Sequence, residues 1–255
     1  MKIAIPLTIA TLTLAALSPV FAQNRGVTEA DLGGSGSVAV SAEIWVDNWF
    51  AMSVDGAPLY EDSTAYNTER SFNGERITFN ADLPMTVAFE FRDFMENDTG
   101  LEYIGERNQQ MGDGGAIAQF KDANSDVLGV TDASWRCLIA QYAPIDTTCE
   151  DTGDPQVGVG ACASETQVVP ADWTSVDFDD SDWASATVHS ERDVGPKDGY
   201  DAISWDGRAE LIWGDDLERD NIVLCRAVIG DLPKLDELLT LPIKTPLAID
   251  AGVGV

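Results

Sequence analysis

The sequence predicts an all-β protein built as a single β-sandwich. Short runs in which apolar and polar residues alternate recur along the chain, and turn-forming dipeptides such as Asp55-Gly56 separate them. Helical periodicity is not evident before a short apolar stretch at residues 235–241, which Pro242 ends. Many short strands joined by turns are typical of two packed sheets. We expect the sandwich to occupy residues 37–229.

The first 22 residues have the composition of a signal peptide. Lys2 supplies a positive charge, an apolar stretch follows over residues 3–17, and Ala22 offers a small residue for cleavage. The apolar stretch is shorter than the ~20 residues that a membrane-spanning helix needs. We therefore expect cleavage after Ala22 and export to the periplasm or the extracellular space, without membrane insertion. Residues 23–36 are small, polar and rich in glycine, which predicts a flexible leader.

The first strand candidates form a strand followed by a hairpin. Residues 37–46 alternate, a second run covers residues 49–54, and Asp55-Gly56 is a strong signal for a tight turn after it. In a later run, Val87, Phe89 and Phe91 would lie on one face. The later candidates are residues 77–79, 85–91, 117–120, 127–130, 135–139, 187–189, 210–213 and 222–229.

Two segments lack strand patterns. Residues 94–113 form a polar stretch rich in Asn, Gln, Glu and Gly, and loops of this length are usually functional or mobile. Residues 230–255 contain three prolines and end in a small-residue sequence, so we expect a loose C-terminal tail that is partly disordered.

The net charge of −29 is extreme for a chain of 255 residues. Such a field repels nucleic acids and anionic membrane surfaces, and we expect neither as a partner. Two interpretations of the acids remain: carboxylates spread over the surface as an adaptation to salt, or carboxylates gathered to bind calcium, which prefers oxygen ligands. For one structural calcium, we expect Asp47 and Asn48 at a strand break, and Asp122 and Asp126 in a polar turn, as donors.

Four cysteines in an exported chain predict two disulfides. Their spacing matches no zinc motif. Three pairings are possible. We favour Cys137–Cys225, because both residues lie in strand candidates, together with Cys149–Cys162, which would close a loop rich in Gly and Asp.

A series of motifs occurs in a characteristic order: residues 47–50 with 53–56, then 114–120, 131–136 and 178–183, with Arg226 on a late strand. In this order they resemble the galactose-binding-like jelly-roll domains that accompany many bacterial glycosidases as accessory or carbohydrate-binding domains. The resemblance implies a galactose-binding-like jelly-roll β-sandwich with long loops, which often holds one structural calcium. It also implies a carbohydrate-binding or spacer role. Because only a short tail follows residue 229, we expect no catalytic barrel.

The motif residues themselves predict structural roles. We expect Trp135 between the sheets with its indole N–H bonded to a backbone carbonyl. Phe178 and Trp183 should anchor an Asx turn between them to the core. Gly114-Gly115 should supply positive φ at the entry to a strand.

No catalytic or cofactor motif is present, and His189 is expected on the surface or an edge strand. The leading function is an exported, non-catalytic glycan-binding protein. One alternative is a glycoside hydrolase or lyase with an unrecognised carboxylate pair. Another is a structural or interaction domain without a small ligand, with a protein partner bound through the tail. Trp213 is one of several aromatic residues expected in or beside loops. A sugar site needs apolar ring faces and directed hydrogen-bonding groups, and the candidates are Tyr103, Arg107, Asn108, Gln109, Tyr200 and Trp205.

Overall fold

A computed structural model of the chain describes residues 22–24, 26–65, 73–93 and 96–231. The expected signal peptide up to residue 21, the apolar stretch at residues 235–241 and the rest of the tail lie outside this part of the chain. None of the helices in the described residues is long and apolar enough to cross a membrane. The strands are β1 (Ala22–Asn24), β2 (Val27–Gly33), β3 (Val38–Asp47), β4 (Trp49–Val54), β5 (Ala57–Glu61), β6 (Asn73–Ala81), β7 (Met85–Arg92), β8 (Leu101–Glu102), β9 (Gln110–Met111), β10 (Gly115–Asp122), β11 (Val127–Val130), β12 (Arg136–Tyr142), β13 (Glu165–Thr166), β14 (Ala184–Ser185), β15 (Thr187–His189), β16 (Leu211–Trp213) and β17 (Asp220–Ile229).

The described strands form two large sheets. The first sheet has the order β1-β2-β6-β3-β10-β16-β15, with β11 added to β10, and the second has the order β13-β12-β17-β7-β4-β5, with β14 added to β12. Strands β8 and β9 form a separate ribbon. Helical structure in the described residues is limited to one short α-helix, α1 (Glu191–Val194), and three 3-10 turns, Thr147–Asp151, Gly160–Cys162 and Tyr200–Ala202. The predicted all-β sandwich is therefore confirmed.

The core lies between the two sheets because the strands alternate their side chains. Val87, Phe89 and Phe91 of β7 share one buried cluster, as predicted, with the inward residues of β3. The ring of Phe89 stacks at 4.9 Å on Phe91 and at 5.7 Å on Trp135. Trp135 is buried, and its indole N–H donates to the carbonyl of Val130 at 2.8 Å, which confirms the role predicted for it.

Residues 27–33 correct the predicted flexible leader. They form β2, which pairs in parallel with β6, starting with Val27 opposite Gly74. Val27 and Ala30 are both buried. The alternation in this stretch is weak, and its partner strand comes much later in the chain. The strand therefore depends on long-range pairing, which short-range pattern does not encode.

Gly114 and Gly115 correct a second prediction, because neither has a positive φ. A Cβ on Gly114 would overlap the indole of Trp213, and a Cβ on Gly115 would overlap the side chain of Val194. Close packing rather than backbone conformation therefore requires glycine where β10 begins.

Both predicted disulfides are present. Cys137 and Cys225 lie directly opposite each other on β12 and β17, and Cys149–Cys162 joins two 3-10 turns in the loop after β12. Two disulfides fit a periplasmic or extracellular protein.

Candidate functional site

The outer face of the second sheet carries an aromatic residue next to small ones. Phe50 and Met52 of β4 point into the core, so Trp49, Ala51 and Ser53 of the same strand lie on the opposite face. These three residues are only partly buried. Because the side chains of Ala51 and Ser53 are small, they protrude little from this part of the sheet.

The motif at residues 178–183 packs on the same face, over β12 and β17. Trp183, Trp173 and Phe178 share an apolar cluster with Leu224 and Ala140 of these strands. The rings of Trp173 and Trp183 stack at 6.1 Å, and Phe178 meets Trp183 edge-on at 5.5 Å. Phe178 and Trp183 therefore anchor this turn, but the prediction that they anchor it to the core is wrong, because they pack on the outer face of the second sheet.

Arg226 of β17 holds the segment in place. Its side chain is 3% exposed and pairs with the carboxylate of Asp180 at 3.0 Å. The same guanidinium donates to the carbonyls of Trp173 and Ser175 and lies 5.0 Å from the centre of the Phe178 ring. A rigid fork with several donors suits this task, because three acceptors from one loop converge on it. Arg226 thus fixes the position of Trp173.

A groove of about 400 Å³ runs between this segment and strands β4 and β5. At the β4–β5 turn the two sides approach closely, since a Cβ on Gly56 would lie 3.4 Å from the Cα of Ser175. The lining residues are Ala51, Met52, Ser53, Pro58, Leu59, Tyr60, Glu61, Glu90, Trp173 and Thr174.

Trp173 brings a half-buried aromatic ring to the groove, whereas Tyr60 lies opposite core-facing Met52 and packs its ring inward, 6.1 Å from Phe50. The hydroxyl of Tyr60 donates to buried Glu75 at 3.2 Å, so its polar end also points away from the groove. Burial and the neighbouring Glu75 raise the pKa of Tyr60 above its ordinary value. Apolar ring faces with a few polar groups between them are the usual composition of a small-molecule site.

The polar groups of the groove are hydroxyls and carboxylates. Ser53 and Thr174 supply hydroxyls, and Glu61 and Glu90 supply carboxylates. Arg92 donates to Glu90 at 2.6 Å, and its guanidinium lies 5.6 Å from the centre of the Trp49 ring.

Trp49 extends the aromatic surface beyond the groove. It precedes Ala51 by two residues on the same face, so the two side chains are about 7 Å apart along the strand. Trp49 lies opposite Arg92, and Ala51 lies opposite Glu90. Trp49 therefore adds a second partly buried ring to this face of the sheet.

Two buried carboxylates lie behind Tyr60. Glu75 is fully buried and accepts hydrogen bonds from the backbone N–H of Ser63 at 3.1 Å, from the Ser63 hydroxyl at 2.6 Å and from Asn73 at 2.6 Å. Burial, with a contribution from the charge of Glu75, raises the pKa of Asp62 to about 8. The sequence alone did not single out this pair. Since Glu75 has no exposed surface, the pair is suited to holding the segment after β5 rather than to attacking a polymer.

The sugar-binding residues predicted from the sequence belong to two other regions. Tyr200 is buried edge-on against Trp45 at 5.7 Å, and its hydroxyl donates to Glu191. The indole N–H of Trp205 donates to the carbonyl of Tyr200 at 3.2 Å. These two rings therefore pack on the outer face of the first sheet.

The other predicted sugar ligands lie on the loop that carries β8 and β9. The Gln109 amide donates to the carbonyls of Glu150 and Thr152, so it ties this loop to the Cys149–Cys162 region. Arg107 and Asn108 are exposed, and Tyr103 is half-buried. Trp213, which was expected beside a loop, is fully buried instead, and its indole N–H donates to the carbonyl of Asp220 at 2.8 Å.

The predicted calcium donors lie at opposite ends of β10. Asp47 faces Gly115 at its start, whereas Asp122 at its end faces Val40, a separation of about 23 Å along the strand. The two donor sets are therefore separate places. Burial and nearby acids, Asp113 first, hold the pKa of Asp47 well above its ordinary value. In the described part of the chain no three His, Cys, Asp or Glu side chains form a group that could hold a metal ion. Calcium stays a prediction.

The polar turn at residues 122–126 is an Asx turn. The Asp122 carboxylate accepts hydrogen bonds from the backbone N–H groups of Asn124 at 2.8 Å and Asp126 at 2.9 Å. Hydrogen bonding to these amides lowers the pKa of Asp122.

Other cavities offer less aromatic surface. A cavity of about 480 Å³ at the sandwich edge is lined by Trp183, Trp213 and several acids, but these indoles are only 8% and 0% exposed and present little ring surface. A cavity of about 610 Å³ beside it is lined by His189 and acids. His189 lies on β15, the edge strand of the first sheet, as predicted.

Comparisons of the chain with protein-family models, with curated proteins and with solved structures found no match. The structure itself shows a two-sheet β-sandwich, which is compatible with a jelly roll.

Proposed function

We propose that this chain is an exported, non-catalytic glycan-binding protein of the galactose-binding-like jelly-roll class. The groove between β4–β5 and Trp173 is its binding surface. The observation that carries the proposal is the half-buried ring of Trp173, which Arg226 holds over the outer face of the second sheet, beside the hydroxyls of Ser53 and Thr174 and the carboxylates of Glu61 and Glu90. Sugar C–H groups pack on ring faces, and sugar hydroxyls need directed partners.

The groove is built on rigid elements, which favours binding without large rearrangement. Its floor belongs to β4 and β7, and its aromatic wall is held by Arg226. A preformed site loses less conformational entropy on binding than a mobile loop does. The motifs that resemble accessory domains of glycosidases support the same function, because Arg226, Phe178 and Trp183 hold the wall of the groove.

The test is a glycan array followed by titration of Trp173→Ala against wild type. We expect wild type to bind a neutral oligosaccharide without releasing product. The variant should raise Kd at least about tenfold, as the loss of a central aromatic contact does. Tyr103→Ala is the matched control, since Tyr103 lies on the other candidate loop. Thermal unfolding of both variants checks that the fold is kept.

Three results would redirect the proposal. Equal binding by wild type and Trp173→Ala would remove the groove from the function, and a loss caused by Tyr103→Ala would transfer the site to the loop at residues 101–110. Product release from any polysaccharide would favour the glycoside hydrolase or lyase alternative. If neither binding nor product release is detected, the remaining alternative is a structural or interaction domain.

A further inference from the structure

The charges around the groove are predominantly negative. Glu61 and Glu90 line it, and no Lys, Arg or His of the described residues does. Glu61 is exposed and has no ion-pair partner within the described part of the chain. Glu90 forms an ion pair with Arg92, which keeps the guanidinium of Arg92 bound at the floor of the groove.

Two further acids lie on the segments that border the groove. Asp55 lies in the β4–β5 turn at one end, and Asp172 directly precedes Trp173; both are exposed. At physiological ionic strength the Debye length is about 8 Å, so acids within that distance of the groove act on a ligand in it. The net charge of the whole chain, −29, has the same sign.

We infer that the groove selects cationic, amino-sugar glycans over neutral ones and rejects glycans that carry carboxylate or sulfate groups. This inference rests on the proposed glycan-binding function. Carboxylates in the groove accept hydrogen bonds from ammonium groups as well as from hydroxyls, whereas a uronate or sulfate group beside Glu61 or Glu90 is repelled.

The size of the selection follows from Coulomb's law. One ammonium group at about 5 Å from Glu61, in a solvent-like dielectric, lowers the Kd of the ligand about fourfold. A chain with an ammonium on each sugar unit has several such contacts, and the preference should therefore exceed this value at low salt.

The experiment compares three probes of equal length: glucosamine, N-acetylglucosamine and galacturonate hexamers. Binding is measured in mildly acidic buffer at low and high salt. We expect the glucosamine hexamer to bind at least about fourfold more tightly than the neutral hexamer, the galacturonate hexamer to bind more weakly than both, and the differences to shrink at high salt. Glu61→Gln should reduce the ratio of glucosamine-hexamer affinity to neutral-hexamer affinity.

Two controls separate the groove from the general field of the protein. Trp173→Ala keeps the net charge and should abolish tight binding of the glucosamine hexamer. Glu106→Gln removes one exposed acid from the other candidate loop and should leave the preference intact.

The outcomes distinguish the inference from the function on which it rests. Galacturonate binding equal to or tighter than neutral binding, or a glucosamine preference that survives both Glu61→Gln and high salt, would overturn the charge selection and leave glycan binding in place. If Trp173→Ala does not weaken binding of the glucosamine hexamer, the charge selection is also overturned. The hexamer would then contact the acidic surface of the whole protein rather than the groove. No binding of any hexamer would overturn both.

Discussion

Arg226→Met is the substitution that links the motif residues to the groove. Methionine keeps much of the buried volume but removes the ion pair with Asp180 and the hydrogen bonds to the carbonyls of Trp173 and Ser175. Removing one partner of a buried ion pair costs about 3–5 kcal/mol. The Asp180 side chain is 30% exposed, and water can partly solvate the carboxylate left behind. We therefore expect a loss of about 3 kcal/mol, at the lower end of that range.

Thermal unfolding followed by near-ultraviolet circular dichroism measures this loss. For a chain of this size, 1 kcal/mol corresponds to about 2–4 °C, so Tm should fall by roughly 6–12 °C. Because Trp173 loses its anchor, glycan affinity should fall as well, at temperatures where the variant is still folded.

Arg136→Met is the matched control for this measurement. Arg136 lies directly opposite Arg226 on β12, but it is exposed and its contacts to Trp183 and Ser185 are 3.5 and 3.4 Å long. A surface substitution of this kind changes stability by about 0.5 kcal/mol or less. If Arg226→Met lowers Tm no more than Arg136→Met does, the guanidinium does not hold the segment and the reasoning is wrong.

Two further predictions concern stability. Gly114→Ala should lower the free energy of unfolding by about 1–3 kcal/mol, because its Cβ would overlap the buried ring of Trp213; Gly153→Ala, where a Cβ meets nothing within 4 Å, is the control, and equal Tm values would contradict the packing argument. Asp62 has a folded-state pKa of about 8, above its ordinary value of 3.8. The folded state therefore binds the Asp62 proton more tightly than the unfolded state does. The stabilisation that this proton provides is complete below the ordinary pKa and is lost as the pH rises through 8. Denaturant unfolding across this range should show wild type losing stability relative to Asp62→Asn, and parallel pH profiles would refute the assignment.

The elements that the sequence predicted correctly are those whose signals are local. Alternation in β7 sends Phe89 into the core whatever its neighbours are, because successive side chains of a strand point to opposite faces. Trp135 is large and apolar with one polar atom, and burial with a single hydrogen bond satisfies both properties. The disulfide between Cys137 and Cys225 followed from their positions in two strand candidates.

The groove could not be predicted in this way because its residues meet only through strand order and register. Glu61 and Trp173 lie on separate segments that line one groove, and nothing near either residue in the sequence indicates the other. Their meeting depends on β17, which places Arg226 where it can hold the loop that carries Trp173. The predicted sugar ligand Tyr200 shows the converse, since a ring that follows a loop in sequence packs edge-on against Trp45 in the fold.

By itself, the sequence determined the fold class, most of the strands, both disulfides and the sign of the charge, since each of these depends on composition or on alternation within a few residues. Only the tertiary structure decided that β2 is a strand, that Asp47 and Asp122 lie at opposite ends of β10, and that Gly114 is required by the ring of Trp213. The physical reason is the same in all three cases. Hydrogen-bonded register and close packing join residues that are far apart in the chain, and these contacts depend on the whole sandwich being assembled.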